Sequence, residues 1–241
     1  MRRLVLAITA FFALASAAAA GDYADREIIG FSSDGRYFAF EEYGIQDGSG
    51  FPYSNIFLID TSTDSWVPGT PVRVRLDNEN ATLDAARTQA RAGAATALAS
   101  RGIGLPGRLL VSNPLTEVVS DRHVAEFLTM VFVPPQTETN VVTIDEFPLQ
   151  VKSCPIDFGQ TMGFGLSLRT ADGALRTLHQ DDAIPASRGC PIGYGISDVI
   201  AFDGAPGGEV VLIILLNVFQ IGFEGPDRRF IAIATSIPQP Y

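Results

Sequence analysis

Hydrophobic residues along most of this chain occur in short runs separated by glycine, proline and polar clusters, a pattern typical of β-strands joined by turns. Two apolar runs within residues 28–40 flank Ser-Ser-Asp-Gly at 32–35. This arrangement predicts a β-hairpin, because Asp and Gly tolerate the backbone conformations of a tight turn. Further runs at 54–60, 66–67 and 72–75 extend the hairpin into an antiparallel meander.

One segment interrupts the β pattern. Residues 82–101 contain no proline, alanine and arginine replace β-branched residues, and apolar residues recur at helical spacing. We therefore predict one α-helix at about 82–101, capped at its start by Asp77 or Asn80 and closed by Gly102. Its apolar face is mostly alanine, so we expect close packing against a sheet or a groove.

Extended segments return after the helix and become strongest in the last third of the chain. The predicted strands lie at 109–111, 126–133, 141–144, 149–151, 162–169, 174–179 and within 197–237. The run 210–219 is apolar on both faces, which predicts a central strand covered on both sides. The fold class expected is mainly β, with antiparallel propeller-like meanders in a partial propeller or irregular sandwich and a single helix.

The first meander resembles a blade of the TolB-type, WD40-like propellers. The residues that carry this resemblance are Gly30 to Phe40, with their Ser-Ser-Asp-Gly turn, followed by Ile56 to Asp60. The resemblance implies a four-stranded antiparallel sheet and nothing about chemistry, because propellers serve as binders, scaffolds and enzymes alike. A complete ring of six or seven blades, at about 40 residues each, would need a longer chain.

Three segments spread over the chain resemble a family of predicted secreted bacterial proteins that carries a domain-of-unknown-function label. They are Ile29 to Phe40, the Asn-Pro-Leu-Thr-Glu segment at 113–117 and the segment from Gly222 to Ala234. The resemblance implies export and supplies no activity, cofactor or catalytic residue.

The first twenty residues have the three parts of a secretory signal peptide. Arg2 and Arg3 form a basic start, residues 4–14 are apolar, and residues 15–20 are mostly alanine. The apolar run is shorter than the roughly 20 residues that a membrane-spanning helix needs. We expect cleavage near Ala20, no membrane span afterwards, and a single secreted β-rich domain at 21–241 in the periplasm or outside the cell.

The charge balance makes nucleic acid an unsuitable partner. The chain has 27 acidic and 17 basic residues and a formal charge of −10, which becomes −12 once Arg2 and Arg3 are removed. The remaining arginines are scattered and Lys152 is the single lysine, so no basic stripe could follow a phosphate backbone.

The two cysteines, Cys154 and Cys190, both lie in the predicted exported part, where thiols tend to be oxidised. A disulfide between them is the favoured interpretation. A metal or redox site is the alternative, and it is disfavoured because neither cysteine belongs to a C-x-x-C pair or has a histidine at ligand spacing.

His179 is the first candidate ligand residue, because Asp181 and Asp182 follow it closely. His179 with Asp181 or Asp182 could hold a metal or form an acid-base pair, but no third ligand is in view, and a solvated strand end with acidic loop residues is favoured. Adjacent acids also occur at Glu41-Glu42 and Asp145-Glu146. They could supply paired carboxylates, although neighbouring strand residues point to opposite faces and surface charge is a sufficient explanation.

A second candidate group surrounds the last predicted turn. Glu224, Asp227, Arg228 and Arg229 lie together there, and two arginines beside acids could contact an anionic ligand or a partner. A charged hairpin tip is the favoured alternative.

These observations assign no catalytic residue, cofactor or metal. They favour a non-catalytic binding or envelope-associated module over an enzyme, with an envelope protein or small ligand as partner. The alternative is an envelope hydrolase that uses paired carboxylates in a cleft.

Overall fold

The computed structural model describes residues 21–116, 121–130, 139–154 and 159–239. The signal peptide predicted at 1–20 lies outside the described residues. The described part contains thirteen strands and one α-helix, in the order β1 (Asp25–Phe31), β2 (Tyr37–Ile45), β3 (Pro52–Asp60), β4 (Ser65–Trp66), β5 (Val72–Arg75), α1 (Leu83–Ala99), β6 (Arg108–Ser112), β7 (Val124–Phe127), β8 (Asn140–Pro148), β9 (Met162–Arg169), β10 (Leu175–Gln180), β11 (Pro191–Ala205), β12 (Glu209–Ile221) and β13 (Pro226–Pro238).

The first sheet is the meander predicted from residues 28–75. Its order is β1-β2-β3-β4, and β5 also pairs with β3, with all neighbours antiparallel. The predicted turn between β1 and β2 contains Gly35 at a φ of +72°. A Cβ atom there would lie 2.7 Å from the Phe202 ring, so glycine permits both the turn and the contact with the neighbouring sheet. The predicted hairpin is confirmed.

Helix α1 covers the outer face of the first sheet. Its buried side chains are Ala86, Ala90 and Ala94, which face the sheet as predicted. The predicted caps at Asp77 or Asn80 are wrong, because Thr82 is the N-cap and its hydroxyl accepts a hydrogen bond from the Ala85 N–H at 3.1 Å. The predicted end at Gly102 is confirmed by its φ of +61°.

The second sheet has the order β10-β9-β8-β7. The separate strand predicted at 149–151 is wrong, because β8 runs as far as Pro148 and the Leu149 N–H then bonds to the Thr161 carbonyl across a loop. The strand predicted at 126–133 is confirmed only where it overlaps β7. Residues 131–133 lie outside the described residues.

The third sheet, β13-β12-β11-β6, lies between the other two. Even-numbered residues of β12, such as Leu212 and Ile214, pack against the second sheet. Odd-numbered residues, such as Ile213 and Leu215, pack against the aromatic side chains of the first sheet. The prediction of a central strand at 210–219 covered on both sides is confirmed.

From one side of the molecule to the other, the layers are therefore α1, the first sheet, the third sheet and the second sheet. This mainly β arrangement confirms the predicted class. Because the third sheet lies between the first sheet and the second sheet, the fold is a stacked, irregular sandwich. In the part of the chain that the structure describes, no helix is long and apolar enough to cross a membrane.

Candidate functional site

A cavity of about 410 Å³ opens at one end of the third sheet. Three chain segments line it: the loop after β6, the turn before β7 and the last part of β12. Its size lies within the range of small-ligand pockets, roughly 300 to 1,000 Å³. We call it the Asn217 pocket, and its lining residues are Asn113, Pro114, Leu115, Asp121, Arg122, His123, Asn217 and Phe219.

Backbone hydrogen bonds hold both loops of the Asn217 pocket against the strands. The Asn113 N–H donates to the Ser197 carbonyl at 2.8 Å, and its side-chain Nδ2 donates to the Ile196 carbonyl at 3.3 Å. On the other side, the Arg122 carbonyl accepts from the Ile196 N–H at 2.7 Å, and the His123 carbonyl accepts from the Ile144 N–H at 2.8 Å. The lining side chains are therefore attached to the sheet core.

Asn217 is the most unusual residue of the pocket. It interrupts an otherwise apolar strand and is only 3% exposed. Among the described residues, its Oδ1 atom has no hydrogen-bond partner. A buried amide oxygen without a partner costs about 1 to 3 kcal/mol, so such atoms are rare in folded proteins. The side chain of Asn217 lines the pocket, but this oxygen is itself enclosed by protein.

His123 lies at the rim between two carboxylates. Its Nδ1 is 3.6 Å from Asp121 Oδ1, and its Nε2 is 3.4 Å from Glu146 Oε1. Glu146 is oriented in turn by the backbone N–H of Tyr194. Arg122 Nε also lies 3.3 Å from His123 Nε2 and donates to it.

Arg122 extends across the third sheet, where two glycines make room for it. Its guanidinium lies 5.5 Å from the centre of the Phe219 ring. A Cβ atom at Gly195 would lie 3.3 Å from the Arg122 side chain, and one at Gly193 would lie 3.4 Å from it. The glycines of this strand thus permit a polar, charged wall beside Phe219.

All residues of the Asn217 pocket lie within a segment that matches a known family. Residues 39–236 match the family model described as a predicted secreted protein, DUF2259. The chain belongs to this family. A search of curated proteins found none that matches the chain. The DUF2259 description concerns secretion and names no chemistry, so the chemistry of the pocket must be argued from its own residues.

The sequence pattern did not identify the pocket residues of this DUF2259 protein as one site. The available signal was Asn217, a lone amide within the apolar run 210–219, together with the Asn-Pro-Leu segment at 113–115. Asn113 and Asn217 are about a hundred positions apart, and only strand pairing brings them together.

His179, a predicted contact residue, belongs to a different cluster. Its Nε2 is 2.8 Å from Asp181 Oδ1, and Arg188 binds both oxygens of the same carboxylate at 2.6 and 2.8 Å. Burial would raise the pKa of Asp181, but the hydrogen bonds from Arg188 and His179 outweigh it and hold the pKa below its usual value. The interpretation as a solvated strand end is wrong, because Asp181 is buried by the turn that carries Arg188.

The cluster around His179 has the properties of a structural ion pair. Arg188 stacks over the Phe164 ring and donates to Tyr194 Oη at 3.3 Å. Asp182, the other predicted partner, is exposed. Within the described ranges, no three side chains of His, Cys, Asp or Glu are placed to hold a metal ion.

The residues predicted as one group at the last turn lie in different environments. Glu224 is exposed, whereas Arg229 binds Asp22 Oδ2 at 2.5 Å and Arg228 donates to the Ala24 carbonyl at 2.6 Å. The prediction of a charged hairpin tip is wrong for both arginines, because they tie the N-terminal segment to β13. Tyr53 also donates to Asp22, at 2.8 Å.

The acidic pair on β2 is buried rather than on the surface. Glu41 is fully buried and Glu42 is 2% exposed. Glu41 faces α1 and Glu42 faces β13, which confirms the predicted opposite orientation of neighbours and corrects the assignment to surface charge. Neither belongs to the Asn217 pocket.

The two cysteines meet on the side of the molecule near Arg188. Cys154 Sγ lies 2.10 Å from Cys190 Sγ, the distance of a disulfide bond. The bond joins the loop after β8 to the start of β11.

Proposed function

We propose that this protein is an exported binding protein that holds a small polar ligand in the Asn217 pocket. The observation that carries the proposal is a cavity of about 410 Å³ whose lining combines the polar side chains of Asn113, Arg122, His123 and Asn217 with the ring of Phe219. A few polar groups beside an apolar wall are usual for sites that bind small molecules.

The test is a thermal-shift screen of small polar molecules against the wild type and two variants. Asn217→Leu removes the amide and keeps a side chain of similar size. Asn140→Leu is the matched control, because Asn140 is also a buried strand residue but its Oδ1 accepts from the Ala171 N–H at 3.2 Å, away from the pocket. A ligand at about a hundred times its dissociation constant should raise Tm by roughly 5 to 10 °C.

We expect this rise for the wild type and for Asn140→Leu, even though the control unfolds at a lower temperature. Asn217→Leu should show no rise. An equal rise in all three proteins, or none in any of them, would contradict the proposal.

A second candidate function is hydrolysis at the rim of the same pocket. It is favoured by one arrangement, the imidazole of His123 between the carboxylates of Asp121 and Glu146, which could move a proton at Nδ1 or Nε2. Glu146→Gln separates the two functions. A binding protein should keep its ligand affinity in this variant and turn nothing over, whereas a hydrolase should convert the ligand in the wild type and lose that conversion.

We also propose that residues 1–20 are removed on export and that residues 21–241 form one domain in the periplasm or outside the cell. Support comes from the basic, apolar and small-residue order at the N-terminus. Intact-mass measurement of the protein recovered from a periplasmic extract and from the medium should give a chain that begins at Gly21. A chain that begins at Met1 and stays with the cytoplasmic fraction would be the opposite result.

A further inference from the structure

Residues 21–24, which precede β1, lie along the start of β13, and we call them the N-terminal strap. We propose that the docked strap denies a peptidase access to the bond after Ala20. Removal of the signal peptide must then precede docking of the strap, and a chain that folds before export keeps residues 1–20. This inference rests on the proposed cleavage near Ala20 and concerns the order of cleavage and folding.

The backbone of the strap is paired with β13. Tyr23 and Arg228 form a parallel bridge, in which the Arg228 N–H donates to the Asp22 carbonyl at 2.9 Å and the Ala24 N–H donates to the Arg228 carbonyl at 3.2 Å. The N–H of Asp22 donates to Asp227 Oδ1 at 3.0 Å. Both main-chain groups of the second residue after the proposed cleavage point are therefore already hydrogen-bonded.

The side chain of Asp22 anchors the strap inside the protein. Asp22 is only 4% exposed, and its carboxylate accepts from Tyr53 Oη at 2.8 Å and from Arg229 Nη2 at 2.5 Å. Arg229 Nη1 also donates to the Asp22 carbonyl at 2.8 Å. Ala24 is fully buried in the core between the first and third sheets. Opening of the strap would leave the mostly buried Arg229 without its carboxylate, so the open form is rare.

Gly21 leaves no spacer between the cleavage point and the folded protein. A Cβ atom at Gly21 would lie 2.3 Å from the carbonyl oxygen of Pro226, so this residue fits against the turn between β12 and β13 only without a side chain. The bond between Ala20 and Gly21 therefore joins directly onto residues that are held against β13.

A peptidase needs the groups that the docked strap uses. Extended peptides are bound through their main-chain hydrogen-bonding groups, and a peptidase binds residues on both sides of the bond that it cuts. The backbone and side chain of Asp22 are engaged with β13 and Tyr53, so cleavage requires the strap to leave. When opening and closing are fast, the rate of cleavage follows the fraction of molecules that are open.

The experiment measures cleavage of the folded full chain by signal peptidase in detergent micelles. A peptide of residues 1–30 is the reference, because it has the same bond and no β13 to dock on. Arg229→Gln and Asp227→Ala weaken docking and leave the signal peptide and the strap unchanged. Asp182→Ala, at an exposed acid after β10, is the matched control. Thermal unfolding establishes that each protein is folded at the assay temperature, and mass spectrometry gives the cut position and rate.

We expect the peptide to be cut after Ala20, and the folded wild type and Asp182→Ala to be cut at least about tenfold more slowly. Arg229→Gln and Asp227→Ala should each be cut about tenfold faster than the folded wild type, because each removes a charged partner of Asp22 and raises the open fraction. If Arg229→Gln does not fold, Asp227→Ala alone supplies the comparison.

The contrary results are distinguishable. If the folded wild type is cut after Ala20 as fast as the peptide, or the docking variants are cut as slowly as the wild type, the strap inference is wrong and the proposed cleavage site stands. If the peptide itself is not cut after Ala20, the proposed cleavage site fails and the inference fails with it.

Discussion

Glu41 and Glu42 are neighbours on β2, yet their carboxylates lie in opposite environments. Glu41 faces α1, where Arg87 Nε donates to it at 2.9 Å and Arg91 Nη2 at 2.7 Å. Burial would raise the pKa of Glu41, but these hydrogen bonds outweigh it and the pKa is lowered. Among the described residues, Glu42 accepts from two neutral groups, the Phe230 N–H at 2.7 Å and Asn55 Nδ2 at 2.9 Å, and burial raises its pKa.

Glu42→Gln should therefore stabilise the protein at pH 7. A raised folded-state pKa means that stability is fully present below the unfolded pKa, about 4.3, and is lost as pH rises through the folded value. The neutral amide avoids this loss, because its oxygen can accept from the Phe230 N–H while its Nε2 donates to Asn55 Oδ1 after that side-chain amide is flipped. Urea unfolding from pH 4 to 8 should show a gain that is largest at high pH and disappears near pH 4.

Glu41→Gln is the matched control for that measurement. It leaves the guanidinium groups of Arg87 and Arg91 without their buried carboxylate, so it should lower the free energy of unfolding at pH 7 by about 2 kcal/mol. Equal effects of the two substitutions would contradict the difference in environment.

Asn217 gives a second prediction at the scale of one residue. Leucine in its place removes an unsatisfied buried amide, so Asn217→Leu should raise the free energy of unfolding by about 1 to 2 kcal/mol while it abolishes ligand binding. Asn140→Leu should lower it, because the Ala171 N–H loses its partner. A destabilised Asn217→Leu would indicate that the amide serves the fold rather than a ligand.

At the scale of the element, α1 depends on small side chains. Ala90 and Ala94 pack against Ile56 of β3, and both alanines are buried. The short side chains bring the helix close enough for Arg87 and Arg91 to reach Glu41 across the sheet surface. Close packing and the buried ion pair are therefore linked in this element.

Ala90→Leu should destabilise the protein by about 1 to 3 kcal/mol, because the extra methyl and methylene groups have no space against β3. Ala92→Leu, at an exposed position of the same helix, should change stability by less than about 0.5 kcal/mol. Thermal unfolding of both variants tests this. A similar result for the two would mean that α1 does not pack tightly on the sheet.

At the scale of the whole molecule, β12 joins two hydrophobic cores. Ile213 belongs to the core between the first and third sheets, and Ile214 belongs to the core between the third and second sheets. Both residues are fully buried. In a two-layer sandwich one face of such a strand would lie at the surface, whereas here both faces are in the interior.

Ile213→Ala and Ile214→Ala should each lower the free energy of unfolding by about 2 to 5 kcal/mol, and by similar amounts. Leu175→Ala, at a position that is 71% exposed, is the control and should have an effect below about 0.5 kcal/mol. A small effect for one of the two isoleucines would mean that one of the sheet interfaces does not form.

Local sequence patterns were sufficient to predict the individual elements of this protein. The Ser-Ser-Asp-Gly turn, the alanine-rich helix and the doubly apolar run of β12 are all fixed by periodicity and turn chemistry, which act over a few residues. The two cysteines could be paired from their number, their place in the predicted exported part and the absence of a C-x-x-C pair. These features give the mainly β class and one helix.

The tertiary structure alone decided which distant residues meet. Whether Glu41 and Glu42 lie at the surface or in a core depends on what covers each face of β2, and the sequence near them carries no such information. The same holds for Asn217, which lines one cavity with segments about a hundred residues away only when β11 and β12 stack between the other sheets. Side chains 100 residues apart interact through packing, and packing is a property of the assembled layers rather than of any local pattern.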